Sequence, residues 1–380
     1  MTLSTTRPLR LLRWSAAEVD PGSGETPRTY ADPHADASPV AYHERFWESP
    51  VTALDFDVTS LIASWTARTP GTSWLEVAVR GGAVSADSDW LVVGRWAETT
   101  EEIHRTSVPG QASAGARVAT DEVLVEPEMR WRHVQLRVSL LRRAGEHPDE
   151  PAGVESLTLL VSGADDEAPT TSYPSGTELR PAESVRVLDV PTYSQQLHRD
   201  LLPELGGGGQ NWCSPTSVSM VVDHWGAGPV ATAAEAVPYA ARHTYDFAYT
   251  GTGNWPFNAA YAGRFGLDAF VTRLHSLEEA AHFIAAGIPL VLGIAFTKEQ
   301  LDGAGYATDG HLMVLVGFDE NGDVIVNDPA SHQRRSDDDV LTTYQREQFA
   351  QSWLRRSSGI AYVIKPPHVP LPPAPSGAAW

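Results

Sequence analysis

The sequence predicts an all-β sandwich or jelly-roll-like domain followed by an α+β domain. Three observations predict it. From about residue 40 to 162, short runs alternate apolar and polar residues and are separated by turn-rich pieces such as RGGAVSADSD. Residues 163–184 are polar, proline-bearing and aperiodic, as a linker is. From 185 to about 365 helical and strand periods mix, with helices first and an antiparallel hairpin after them. At 380 residues and 42% hydrophobic content, the chain is long enough for two such cores.

Residues 1–39 show no sustained period and are expected to form an irregular N-terminal arm. In the block 40–162, the strand candidates are residues 54–58, WLEVAVR (74–80), WLVVGRWA (90–97) and VQLRVSLLR (134–142). In the block 185–365, SPTSVSMVVDHWG (214–226) carries Val218, Val221, Val222 and Trp225 at helical spacing, with Pro215 in the first turn and Gly226 past the end. Ser276 and Glu279 form a capping-box pair opening EEAAHFIAA, which Gly287 closes. Pro289 introduces the apolar run LVLGIAF. HLMVLVGF (311–318) and DVIVND (323–328) flank Asp319-Glu320-Asn321-Gly322, a hairpin signal. The tail 366–380 is proline-rich and is expected to stay unpacked.

Composition narrows the function. Lys+Arg 28 against Asp+Glu 48 gives a net charge of −20, which disfavours nucleic acid and anionic membrane as partners. One cysteine excludes an internal disulfide framework and any multi-thiolate metal site. The first residues hold no apolar run of signal-peptide length, so the expectation is a soluble, cytoplasmic protein, with secretion the alternative. Seven of the 12 tryptophans precede residue 163. They read as sandwich core or, alternatively, as a platform for carbohydrate or a cell-wall polymer. Trp90 and Trp96, six residues apart, would share one face of a regular strand. The acidic runs 165–167 and 337–339 read as solvated loops, with calcium binding the alternative.

The lone thiol, Cys213, immediately precedes the predicted helix at 214–226, where free N–H groups and the helix dipole favour a thiolate. A catalytic thiol needs a base and a group to orient that base. The hairpin supplies both, with His311 at its start and Asp328 at its end. If 319–322 is a four-residue loop, Asp328 faces Met313, one diagonal step of about 7–8 Å from His311 on the same sheet face. A two-residue turn keeps the face and increases the offset; a five-residue loop puts the two side chains on opposite faces. A zinc site from His311, Asp328 and a third ligand is a weaker alternative, since no His-x-x-x-His pair accompanies them.

The stretches VPTYSQ (190–195), NWCSPTSVSMV (211–221), GTGNWPFNAAYA (251–262), AAGIPLVLGI (285–294), GHLMVLVGFDENGDVIVNDPAS (310–331) and FAQSWL (349–354) resemble the papain-like cysteine peptidases. They are most similar to the branch related to bacteriocin-leader-processing peptidases, in its stand-alone actinomycete form. The block 40–162 resembles the β-rich domain that accompanies them. The resemblance implies a papain-like α+β domain over 185–365, with Cys213 as nucleophile, His311 as general base and Asp328 orienting the imidazole. It also implies a glutamine that holds the oxyanion. Gln195 matches the family position and Gln210 is its rival; Gln195 is favoured because the glycines at 206–209 look like a pliable insertion. Asp246 and Asn258 are further candidates for the cleft, and His198, His224, His243 and His332 for surface or supporting positions. Two departures stand out: the chain lacks the export signal and the cysteine pair near 241–253 that such relatives carry.

The expected activity is thiol-dependent hydrolysis of a peptide or amide bond through an acyl-enzyme, with no metal or organic cofactor. The alternatives are an amide-forming acyltransferase using the same triad, and a non-catalytic protein that binds a wall polymer or carbohydrate.

Overall fold

The strand 58–68 reads VTSLIASWTAR, and its alternation assigns each face a different neighbour. Leu61, Ala63, Trp65 and Ala67 point into the core of a β-sandwich. Between them, Ser60, Ile62, Ser64 and Thr66 are also buried, against the C-terminal half of the chain. The structure is a computed structural model and describes residues 5–36, 38–83, 86–146, 150–165, 186–229 and 232–380.

One sheet of the sandwich has the strand order Leu9–Ser15, Gly153–Gly163, Val58–Arg68, Glu122–Val125, Ala116–Ala119, Ala112–Ser113, antiparallel throughout. The other runs Thr26–Tyr30, Val40–Glu48, His133–Arg143, Trp74–Ala83, with Leu91–Trp96 pairing the last of these. The strands at Leu9–Ser15 and Thr26–Tyr30 correct the expectation of an irregular arm over 1–39: both are sheet edges, where half-buried side chains leave only a faint alternation. The run 54–58 is likewise a lead-in, with the strand starting at Val58.

The expectation that Trp90 and Trp96 share one strand face needs a similar correction. Between Leu91 and Trp96 a bulge places Val77 opposite Gly94 but Ala78 opposite Val92, so the parity that would align Trp90 with Trp96 is broken. Trp96 is fully buried together with Trp65, Trp74 and Trp131. Trp90 lies beneath the guanidinium groups of Arg80 and Arg137, 4.5 and 4.2 Å from its ring centre.

The third sheet has the order Asp268–Arg273, Ile360–Lys365, Leu290–Phe296, Thr308–Phe318, Val324–Asn327, Leu341–Tyr344, again antiparallel. Helices at Cys213–His224, Ala233–Thr244, Trp255–Gly263 and Leu277–Ala285 accompany it. Ser276 accepts from Glu279 N at 3.2 Å, and Gly287 at φ +83 ends that helix, as the capping pattern requires. The cysteine helix buries Val218, Val221 and Val222 in the core of this half. Ser217 Oγ donates to Leu312 O at 3.0 Å, tying the helix to the strand that carries His311.

The two halves share packing rather than merely touching. Phe257 and Ala260 of the helix Trp255–Gly263 belong to the sandwich core, and Ile62 and Leu160 belong to the core of the C-terminal half. Hydroxyls line the seam: Val271 N donates to Ser64 Oγ at 3.0 Å, and Arg273 reaches Ser60 Oγ and Ser162 Oγ at 2.9 and 2.7 Å. The linker expected at 163–184 lies, from residue 166 onward, outside the described residues. The tail does pack, contrary to expectation: Val369, Leu371 and Trp380 cover the C-terminal core, and the Trp380 ring sits 4.9 Å from Phe283. Its prolines stiffen the chain without keeping three large apolar side chains in water. No helix among the described residues is long and apolar enough to cross a membrane.

Gly317 is where the entry segment crosses the third sheet, and a Cβ there would lie 2.3 Å from Arg186 O and 2.8 Å from Val187 Cα. Gly317→Ala should therefore destabilise the protein by about 1–3 kcal/mol, because both clashing groups are backbone. Urea unfolding of the two proteins measures it.

Candidate active site

Cys213 is the first residue of its helix, a half-buried residue in a cleft of about 770 Å³ that His311 and Gln195 also line. His311 is buried on the adjacent strand and contacts Asp328 through Nε2, 2.8 Å from Oδ1. That contact leaves the other ring nitrogen free of Asp328, and Cys213 and His311 lie close enough to shift each other's titration.

The register that permits this differs from the four-residue loop expected from sequence. Asp319 N donates to Asp323 O at 3.0 Å, so three residues make the turn, and Phe318 opposes Val324. Continued regularly, that register would set Asp328 opposite Val314, on the face away from His311. A bulge between Leu315 and Gly317 absorbs one residue, after which Leu315 opposes Val326 and Val314 opposes Asn327. Asp328 thereby falls on the His311 face. The extra residue, Val316, spends its carbonyl on Leu188 N at 2.8 Å, so the bulge also anchors the entry segment.

Asp328 is fully buried, and its carboxylate is saturated. Oδ1 takes His311 and Ala330 N at 2.8 and 2.9 Å; Oδ2 accepts from Tyr306 and Tyr344 hydroxyls at 2.8 and 2.9 Å. The two tyrosines were not foreseen from sequence. Tyr344 lies on the strand beyond Asp328's own, and Tyr306 in the loop before His311, so only the third sheet's register would have revealed them. With both oxygens so engaged, the zinc alternative lacks free lone pairs, and no cluster of three metal-binding side chains occurs among the described residues.

The electrostatics follow from this shell. Burial alone would raise the Cys213 thiol, but the charge of His311, its hydrogen bond, and the N–H groups of Leu312 and Ser214 outweigh burial and lower it. Burial alone would lower His311, but the charges of Asp328 and Cys213 raise it. Burial would raise Asp328, and His311, Ala330 N–H and Tyr306 keep it low. The opposed shifts favour a thiolate–imidazolium pair over neutral partners.

The two glutamines have different surroundings. Gln195 N donates to Pro329 O at 2.8 Å, which sets it beside Asp328, and its Nε2 donates to Gln210 O at 2.6 Å. Its buried Oε1 has no hydrogen-bond partner among the described residues. Gln210 has its own amide committed: Oε1 accepts from Asp200 N at 3.0 Å and Nε2 donates to Gly207 O, which folds the glycine segment. Asp246 and Asn258 do not line the cleft. Asp246 is fully buried and accepts from Ser107 N, Ala248 N and Asn254 Nδ2 at 3.0, 3.0 and 2.9 Å, fixing the loop whose Tyr249 and Gly251 do line it. His198, His224, His243 and His332 stay outside the cleft wall; burial and Arg264 hold His243 down to about 4.

Residues 187–360 match the Peptidase_C39 like family, a match consistent with a cysteine peptidase. Residues 6–162 match the Peptidase C39 N-terminal domain, in its actinobacterial form, so the chain joins both parts. No functionally curated protein matches the chain. Among solved structures, the structure of infectious bursal disease virus Gx strain aligns at 14% identity over 44% of this chain and 33% of that one. Its TM-score of 0.19 carries no argument.

Because the lowered thiol depends on His311, iodoacetamide should alkylate wild-type Cys213 well below the ordinary thiol midpoint of about 8.5. In His311→Ala only burial remains strong, so the midpoint should move above that value. The check is the alkylation rate against pH, read by mass spectrometry.

Proposed function

We propose that the protein is a thiol hydrolase that cleaves a peptide or amide bond through Cys213, His311 and Asp328. The observation that carries this reading is the shared cleft, with a thiol lowered and an imidazole raised by the same contact. A nucleophile at the start of a helix packed against an antiparallel sheet that carries base and orienter is the papain-like arrangement.

In the proposed reaction the Cys213 thiolate attacks the carbonyl carbon, and the C=O electron pair moves onto oxygen. Gln195 Nε2 donates to that oxyanion together with backbone N–H groups at the start of the helix. The His311 imidazolium gives its proton to the leaving nitrogen, the C–N bond breaks, and a thioester on Cys213 results. Water then attacks the thioester carbon as neutral His311 removes its proton; the acid leaves and the thiolate–imidazolium pair is restored. Asp328 stays ionised and keeps Nε2 pointed at itself, which holds the other nitrogen on sulfur. Gln195 Nε2 gives one N–H to Gln210 O and keeps the second for the oxyanion. Gln195 is favoured over Gln210 because its backbone N–H, bonded to Pro329 O, sets it beside Asp328, whereas both ends of the Gln210 amide fold the segment 200–210.

p-Nitrophenyl acetate should leave one acetyl group on Cys213, trapped at low pH and absent in Cys213→Ala. Gln195→Ala should lower the acylation rate by about 10²–10³, the usual effect of losing one oxyanion donor, and Gln210→Ala by only a few-fold. Unreactive wild-type Cys213, or Gln210→Ala as damaging as Gln195→Ala, would contradict the assignment.

A further inference from the structure

We infer that Asp121, carried into the cleft by the N-terminal β-module, selects substrates bearing a positive charge, an ammonium or guanidinium group, close to the bond attacked. The inference rests on the thiol-hydrolase reading and names its substrate class.

Asp121 sits in the tight turn between the paired strands Ala116–Ala119 and Glu122–Val125, where Ala119 opposes Glu122. The residues of this turn line the same cleft as Cys213 and His311. Thr120 holds φ at +45, a left-handed conformation that a β-branched residue rarely adopts. A turn built only to join two strands would more commonly place glycine or asparagine there.

The carboxylate has an anchor and no counter-ion. Oδ2 accepts from Trp255 N at 3.1 Å, at the first turn of the helix Trp255–Gly263. Among the described residues no Lys, Arg or His forms an ion pair with Asp121, whereas its neighbour Glu122 is matched by Arg273 at 2.6 Å. The cleft lining contains no Lys or Arg among those residues, and its one cation, His311, is already committed to Cys213 and Asp328. A half-buried carboxylate without a cation is costly to keep ionised. Burial, with Glu122 and Asp246 nearby, raises it to about 7 despite the Trp255 N–H. A cation arriving on a substrate removes that cost, and an anionic substrate meets it in full.

The bland role, capping Trp255 N–H, is kept by asparagine, whose side-chain oxygen still accepts. Asp121→Asn therefore separates charge from architecture. The test uses the full-length protein and Cys213 as reporter, comparing 2-aminoethyl methanethiosulfonate, which is cationic, with 2-sulfonatoethyl methanethiosulfonate, which is anionic. Iodoacetamide is the neutral reference. Wild type should favour the cationic reagent, and Asp121→Asn should cut the cationic-to-anionic rate ratio roughly three- to tenfold, each rate being taken relative to the same protein's iodoacetamide rate. Asp121→Ser should act alike. Glu128→Gln, which removes an exposed charge of the same module away from the cleft, should leave the ratio unaltered. An unchanged ratio in the Asp121 variants, or an equal fall in Glu128→Gln, overturns the inference. Slow iodoacetamide alkylation of wild-type Cys213 at neutral pH would instead overturn the hydrolase reading beneath it.

Discussion

The buried carboxylate of Asp328 is the constraint on which the site depends. A carboxylate at zero exposure costs several kcal/mol to ionise unless its lone pairs are used. Here four donors use them: an imidazole, a backbone N–H and two tyrosine hydroxyls. Each comes from a different place: the central strand Thr308–Phe318, the turn after Asp328, the loop holding Tyr306, and the outer strand Leu341–Tyr344. The third sheet must therefore be assembled in one register before the charge is tolerable. Once it is, the negative end of a relay from Asp328 through His311 to Cys213 is fixed, and the thiol is lowered despite its burial.

Much of this was legible in the sequence because it is local. A helix period after Pro215 with Gly226 beyond it, and two apolar runs around Asp319-Glu320-Asn321-Gly322, place Cys213, His311 and Asp328 without reference to the rest of the chain. What was not legible is what depends on distant pairing. The turn is one residue shorter than expected, and a bulge at Val316 compensates, so the expected facing of His311 and Asp328 was reached through a different register. Tyr306 and Tyr344 carry no signal until that sheet is built. The edge strand Leu9–Ser15 was hidden because its partner, Gly153–Gly163, is distant in sequence. The tail's proline content masked Val369, Leu371 and Trp380, whose burial decides where it goes.

The N-terminal module belongs to the same physical unit as the site. Its strand Val58–Arg68 alternates Leu, Ala and Trp toward the sandwich with Ser, Ile and Thr toward the C-terminal half, so a single strand serves two cores. The small hydroxyl residues on the second face let the helix Trp255–Gly263 approach closely; a Cβ on Gly263 would lie 2.6 Å from Thr66 Cβ. That approach sets the turn at Asp121 against the cleft wall and Asp246 against Ser107 N. The module is thereby built into the wall of the site.

The central claim is that Asp328 sustains a charged imidazole on a charged sulfur. The most direct measurement is the ¹⁵N chemical shift pattern of the His311 ring at neutral pH, in wild type and in Asp328→Asn. The account predicts both ring nitrogens protonated in wild type and a neutral ring in the variant. A neutral His311 in wild type, or a ring unchanged by Asp328→Asn, would contradict it.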